Sequence, residues 1–184
     1  MRVALVLGGA GSVWNDLDAA LDLGEYHGIV ACNDVGAAYP GHLDAWVSLH
    51  PEKMPKWTAE RVASGYPWCD RIMGYKGFTK RGGIPACVTE LTDFKFPGQI
   101  NSGSSGLFAL KVALIDLGFE KAVLCGVPMA SLSGHFFDLT AWKGAISHRR
   151  GWNETLHHYQ HKARSMSGWT REVLGAPDEA WLTS

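Results

Sequence analysis

The chain reads as an α/β protein, a Rossmann-like doubly wound sheet that is mainly parallel, with helices on both faces. Three observations predict this. Residues 2–7 (RVALVL) form a short apolar run that empties into Gly8-Gly9-Ala10-Gly11-Ser12, the way a buried first strand hands over to a helix in such folds. Residues 121–125 (KAVLC) form a second apolar run, without the alternation of a half-exposed strand, so both of its faces are expected to be covered. Between these runs, strand-like and helix-like stretches follow one another along the chain.

Taken in order, the glycine turn leads into a helix over 13–23 that closes near Gly24. Residues 27–32 (HGIVAC) read as a second strand, with Asn33 and Asp34 at its end. A turn over 39–42 precedes a third strand at 44–49. Residues 51–64 then read as an amphipathic helix, with Pro55 in its first turn or splitting it. Two short strands are expected at 69–74 and 86–90, separated by a glycine- and lysine-rich loop at 75–83. That loop is either a solvated connection or a flap over an anionic ligand. Residues 101–106 (NSGSSG) open a helix at 107–117, on which Phe108, Val112 and Ile115 fall on one face and Gly118 ends the run. After the strand at 121–125, a loop at 131–138 reaches the ligand edge of the sheet. A helix over 153–163 and a final helix or strand–helix piece at 165–174 complete the chain. Neither a linker nor a repeat divides it, so 1–184 is expected to be a single nucleotide-binding domain.

Composition narrows the function classes. Of 184 residues, 46% are apolar and 19% charged, and the net charge of −1 supplies no bulk attraction to nucleic acid or a membrane surface. No apolar run approaches a bilayer span, and Met1-Arg2-Val3 leads directly into a strand without a signal-peptide pattern. Cys32, Cys69, Cys87 and Cys125 form no C-x-x-C pair, which fits a reduced, cytoplasmic setting. The eight tryptophans either cover a small core or line a flat ligand site.

The chemistry concentrates at three turns. The dinucleotide fingerprint is not met, because Trp14 stands where its third glycine belongs, and no phosphate loop of the G-x-x-x-x-G-K-[ST] type occurs. Gly9, Gly11 and Ser12 still form a glycine turn after a first strand, a signal for phosphate or nucleotide. Asn33, at the end of the second strand, offers an amide to a sugar hydroxyl or base edge, or else bonds its own turn. Ser104, Ser105 and Gly106 sit where a helix begins and its unpaired N–H groups and dipole favour an anion. The plainer alternative is that Ser and Asn here only cap a core helix. His157 and His161 have i, i+4 spacing, but no third ligand stands near them, so no metal site is expected. Arg149 and Arg150 are either phosphate partners or solvated.

These turns, in this order, resemble those of the bacterial CMP-sialic-acid-dependent sialyltransferases and of the related domain family that includes 6-hydroxymethylpterin pyrophosphokinase-like proteins. The motifs are Gly8-Gly9-Ala10-Gly11-Ser12, Cys32-Asn33, and Ser104-Ser105-Gly106 leading to LGFEKAVLCGV. The resemblance implies that Gly9, Gly11, Ser12 and Asn33 hold a nucleotide, that Ser104, Ser105 and Gly106 contact its base or phosphate, and that His148 is a general base. His135 keeps the histidine that follows the strand in those families and is a second catalytic candidate. Pro128 replaces their aspartate, which removes support for acceptor or metal chemistry at that position.

The implied function is a glycosyltransferase-like transferase using a nucleotide-sugar donor of CMP type as substrate, with no firm cofactor. One alternative is an ATP- and Mg²⁺-dependent pyrophosphokinase-like phosphotransferase, for which Asp34, Asp93 and Asp138 are the available acids. The other is a non-catalytic nucleotide-binding protein. The expected partner is a small nucleotide or nucleotide sugar, and homo-oligomerisation is left open.

Overall fold

A computed structural model of the protein describes residues 1–78, 82–138 and 140–184. The loop expected at 75–83 therefore lies partly outside the described residues, at 79–81. Seven described strands form one sheet: β1 (Val3–Leu7), β2 (Gly28–Cys32), β3 (Ala45–Val47), β4 (Ile72–Tyr75), β5 (Glu90–Thr92), β6 (Lys121–Cys125) and β7 (Ala163–Ser165). Their order is β5-β4-β3-β2-β1-β6-β7, and each pairing is parallel. The expected fold class is the observed one, with the sheet parallel throughout.

The chain leaves β1 to wind outward through β2 to β5, then returns to the other side of β1 at β6. That reversal opens a crevice at the carboxyl ends of β1 and β6, the place where such sheets take ligands. Side-chain alternation on β1 accounts for a core on each face. Ala4 and Val6 join Phe108, Leu110 and Trp152 on one side, while Val3, Leu5 and Leu7 join Val13, Leu17 and Trp46 on the other. Helices supply those partners apart from Trp46 of β3, and the described helices are α1 (Val13–Leu21), α2 (Val35–Ala38), α3 (Met54–Ala63), α4 (Ser104–Lys111), α5 (Ala145–Thr155), α6 (Gly168–Leu174) and α7 (Glu179–Thr183).

Several boundaries differ from expectation. The strand expected at 86–90 lies at Glu90–Thr92, on the sheet's edge, where burial no longer marks a strand face. The helix begins at Ser104 rather than 107 and passes into a π-helical turn at Val112–Asp116. The helix expected over 153–163 instead runs over Ala145–Thr155, followed by a 3-10 turn at Leu156–His158, and Ala163 belongs to β7. His157 and His161 consequently lack the helical spacing that suggested a shared metal.

Arg61 on α3 is fully buried and faces carbonyls rather than a carboxylate. Its guanidinium donates to Pro67, Gly36, Tyr39 and Gly41 at 2.6–2.7 Å, tying the segment after α2 to α3.

Candidate functional site

A cavity of about 430 Å³ occupies the crevice, lined from the ends of β1, β2 and β6, the start of α4, and the loop that follows β6. Of the residues expected from sequence, Gly9, Asn33, Ser104, Ser105, Gly106, His135 and His148 line it. Gly11 and Ser12 do not.

The reason lies in the hydrogen bonds of the glycine turn. Gly8 N–H donates to Cys125, Ala10 N–H to Gly126 and Gly11 N–H to Gly134. The turn's amides are thus largely taken by the end of β6 and the loop that follows it, leaving few for a phosphate. The glycines serve close approach instead. Ala10 forms an antiparallel bridge with His135, and a Cβ at Gly9 would run into the His135 ring. Ser12 Oγ bonds the Asp16 carboxylate and Ser167 Oγ, and Asp16 in turn accepts from Gly126 N–H at 2.8 Å. Residues 133–138 therefore form a strap laid across the glycine turn.

The start of α4 has the opposite character. No side chain caps it, so the cap-only expectation for its Ser and Asn residues does not hold. Asn101 is engaged elsewhere: its amide donates to Glu154 Oε1, while Glu154 Oε2 accepts from the N–H groups of Ile100 and Asn101. Trp152 Nε1 donates to the Gly103 carbonyl. Gly151 lets α5 approach so closely that a Cβ there would meet Gly103 N at 2.7 Å. The connection into α4 is thus clamped to α5. Among the described residues, no bond is made by the N–H groups of Ser104, Ser105 or Gly106, and all three residues line the cavity. This is the unpaired, positive end of a helix facing open space.

Asn33 is held in a left-handed conformation, φ 55°. Its Oδ1 accepts from Ser48 Oγ at 2.8 Å and its backbone carbonyl from Trp46 Nε1. The side-chain NH₂ donates to no described residue. Ser104 (φ 79°) and Met129 (φ 47°) share this unusual backbone, and these three are the described non-glycine residues with positive φ. All three line the cavity. Strain of this kind gathers at ligand sites.

His135 Nε2 lies 3.3 Å from Asp34 Oδ1. Burial pushes the Asp34 carboxyl up from its ordinary range, opposed by the charge of His135, and pushes the His135 imidazole down, opposed by Asp34 and Asp138. His135 Nδ1 is buried without a hydrogen-bond partner among the described residues. His148 sits inside the first turn of α5, not ahead of it. Its Nδ1 is 3.3 Å from the Ser102 carbonyl and its ring stacks on Trp142 at 5.5 Å. A carbonyl only accepts, so this contact requires the proton on Nδ1, and in the neutral ring Nε2 then carries the lone pair.

Other candidates separate here. Arg149 Nε donates to the Met129 carbonyl and its guanidinium lies over Trp169, while Arg150 reaches Glu154 at 3.6 Å. Neither lines the cavity. Lys53, which sequence reasoning missed, does line it, and no pattern around it distinguishes it from Lys56 on α3. Of the acids proposed for metal chemistry, Asp34 lines the cavity whereas Asp93 pairs with Lys76. Among the described residues, no three His, Cys, Asp or Glu side chains converge as a metal set.

No family model and no curated protein matches the chain. Two solved structures share its fold. The sialyltransferase CST-II, in complex with trisaccharide acceptor and CMP, aligns with a TM-score of 0.65 at 12% identity, over 97% of this chain and 87% of that one. The MAf glycosyltransferase from Magnetospirillum magneticum AMB-1 aligns with a TM-score of 0.62 at 13% identity, over 97% of this chain and 32% of the other. At these identities the likeness is one of fold. The expected α/β fold is therefore shared with these two structures across nearly the whole chain, and no described helix is long and apolar enough to cross a membrane.

Proposed function

We propose that this chain is a glycosyltransferase-like transferase that binds a nucleotide-sugar donor, of CMP type, at the carboxyl edge of its sheet. The observation that carries the reading is the uncapped start of α4, whose free amides open into the same cavity as the Asn33 amide and His148. The fold it shares with two glycosyltransferases, one of them bound to CMP, supports it.

In this reading the donor phosphate rests on the N–H groups of Ser104, Ser105 and Gly106, with Lys53 adding positive charge and the Asn33 NH₂ meeting the ribose or base. Gly9 serves by admitting the His135 strap, so Gly11 and Ser12 act only on the turn's shape. His148 Nε2 takes the proton of the acceptor hydroxyl. The acceptor oxygen bonds the donor's anomeric carbon while the bond from that carbon to the phosphate oxygen breaks, and the electron pair leaves with the nucleotide. His135, coupled to Asp34, holds the cavity's second proton-exchanging group near the donor.

Calorimetric titration with CMP, CDP, UDP, GDP and ADP in the presence of EDTA tests the reading. Binding of CMP by the folded protein without metal is the expected result, and no binding by any of the five rejects it. A second reading, a nucleotide-binding protein without turnover, draws on Pro128, which lines the cavity where an acid is expected by resemblance. Turnover of CMP-sialic acid that His148→Gln abolishes separates the two.

A further inference from the structure

Three consecutive residues at the end of β3 hold Asn33. Its N–H donates to the Val47 carbonyl at 2.9 Å, its carbonyl accepts from Trp46 Nε1, and its Oδ1 accepts from Ser48 Oγ. Ser48 directly follows β3, has no exposed surface and does not itself line the cavity, whereas Asn33 does. The Ser48 hydroxyl receives the His50 N–H at 2.8 Å and gives its one hydrogen to Asn33 at 2.8 Å. That direction fixes the amide. Turned over, the amide would aim its NH₂ at the serine oxygen. The hydroxyl hydrogen would then have no acceptor among the described residues, which is costly for a buried group.

We propose that Ser48 is a positioning residue for nucleotide binding, acting through Asn33 by locking its amide with the NH₂ toward the cavity. The inference rests on the transferase reading above. An NH₂ only donates, so the ligand atom it meets is a hydrogen-bond acceptor, on either the ribose or the base. The group is also ordered before the ligand arrives. β3 sets both the left-handed backbone of Asn33, φ 55°, and the turn of its side chain, so binding does not have to freeze them. Without the Ser48 hydroxyl the amide stays in place but is free to turn.

The test is a double-mutant cycle on CMP affinity, read by calorimetry. Asn33→Gly removes the amide at a backbone angle that glycine adopts freely, and is expected to weaken CMP by about tenfold. Ser48→Ala is expected to weaken it by about fivefold, the worth of one neutral hydrogen bond. In the Asn33→Gly background, Ser48→Ala is expected to change CMP affinity by less than about twofold, because the group it orients is gone. An equal loss in both backgrounds overturns the proposal, since Ser48 would then act through the His50 turn or the fold at large. Ser48→Ala that binds CMP within about twofold of wild type also overturns it. Should Ser48→Ala fail to fold, Ser48→Cys, which puts a weak S–H donor in place of the hydroxyl, runs the same cycle under the same criteria. In wild type, the side-chain NH₂ resonances of Asn33 are expected to shift during an NMR titration with CMP, and CMP binding that leaves them still is a further contradiction. Ribose 5-phosphate locates the acceptor. An Asn33→Gly loss that persists with it assigns the ribose, and a loss confined to CMP assigns the base. Failure of wild type to bind CMP rejects the underlying transferase reading instead.

Discussion

Ser104→Gly separates a ligand-binding turn from a helix cap. The native serine sits at φ 79°, where an L side chain is strained. Releasing it contributes about 1 kcal/mol to stability, and glycine's greater freedom when unfolded costs about 0.5–1 kcal/mol. The hydroxyl's contact is weak, 3.7 Å to Met129 Sδ, and it caps nothing. Stability is therefore expected to change by no more than about 0.5 kcal/mol, measured as a shift of the urea midpoint at constant m-value. Nucleotide affinity behaves differently. In the proposed reading the Ser104 hydroxyl donates to the same phosphate as the three N–H groups, a bond worth about 1.5–3 kcal/mol, so CMP binding should weaken roughly tenfold to a hundredfold by calorimetry. A loss of stability above about 1.5 kcal/mol, typical of a lost cap, with CMP affinity unchanged would refute the reasoning.

Three further predictions follow from other contacts. Arg61→Leu leaves four inward-facing carbonyls without their donor; urea unfolding should show a loss of at least about 3 kcal/mol, and a change under about 1 kcal/mol would contradict it. His148→Gln should lower transfer by about a hundred- to ten-thousandfold while calorimetric CMP affinity stays unchanged, whereas loss of CMP affinity would make it a binding residue. Burial holds the His135 imidazole below its ordinary value of 6.5, so the unfolded chain binds this proton more readily. The stability His135 contributes is present above 6.5 and is lost as pH falls through the folded value. The raised Asp34 carboxyl acts in the opposite sense, its contribution present below 3.8 and lost as pH rises through its folded value. In Asp34→Asn the charge that raises the imidazole is gone, so NMR titration should place His135 lower than in wild type; an equal or higher value would refute the coupling.

The strands that build the site were legible because burial on both faces leaves unbroken apolar runs. β1, β2 and β6 fall within the runs at 2–7, 27–32 and 121–125. β5 was misplaced because an edge strand of three residues carries no such run. α2 was hidden by its length of four residues, and Gly36 inside it breaks the helical pattern to make room for the Trp46 indole. The polar start of α5 obscured where that helix begins, and with it the place of His148.

At the site, Asn33 and Ser104 stand out in the sequence because each lies where the fold ends a strand or starts a helix, whereas His148 was named by resemblance alone. The glycine turn was readable as a turn, but its purpose was not. Whether Gly9 faces a phosphate or a histidine depends on a strap more than a hundred residues away. Lys53 belongs to the same class of information, since only the folded chain brings it beside Asp34.

The central claim is that a nucleotide rests on the start of α4 and not on the glycine turn. Amide chemical-shift mapping during a CMP titration tests it most directly. The largest perturbations are expected at Ser104, Ser105 and Gly106, with Asn33 following them. Perturbations centred on Gly9, Gly11 and Ser12 with the start of α4 silent, or no saturable shifts at all, would contradict it.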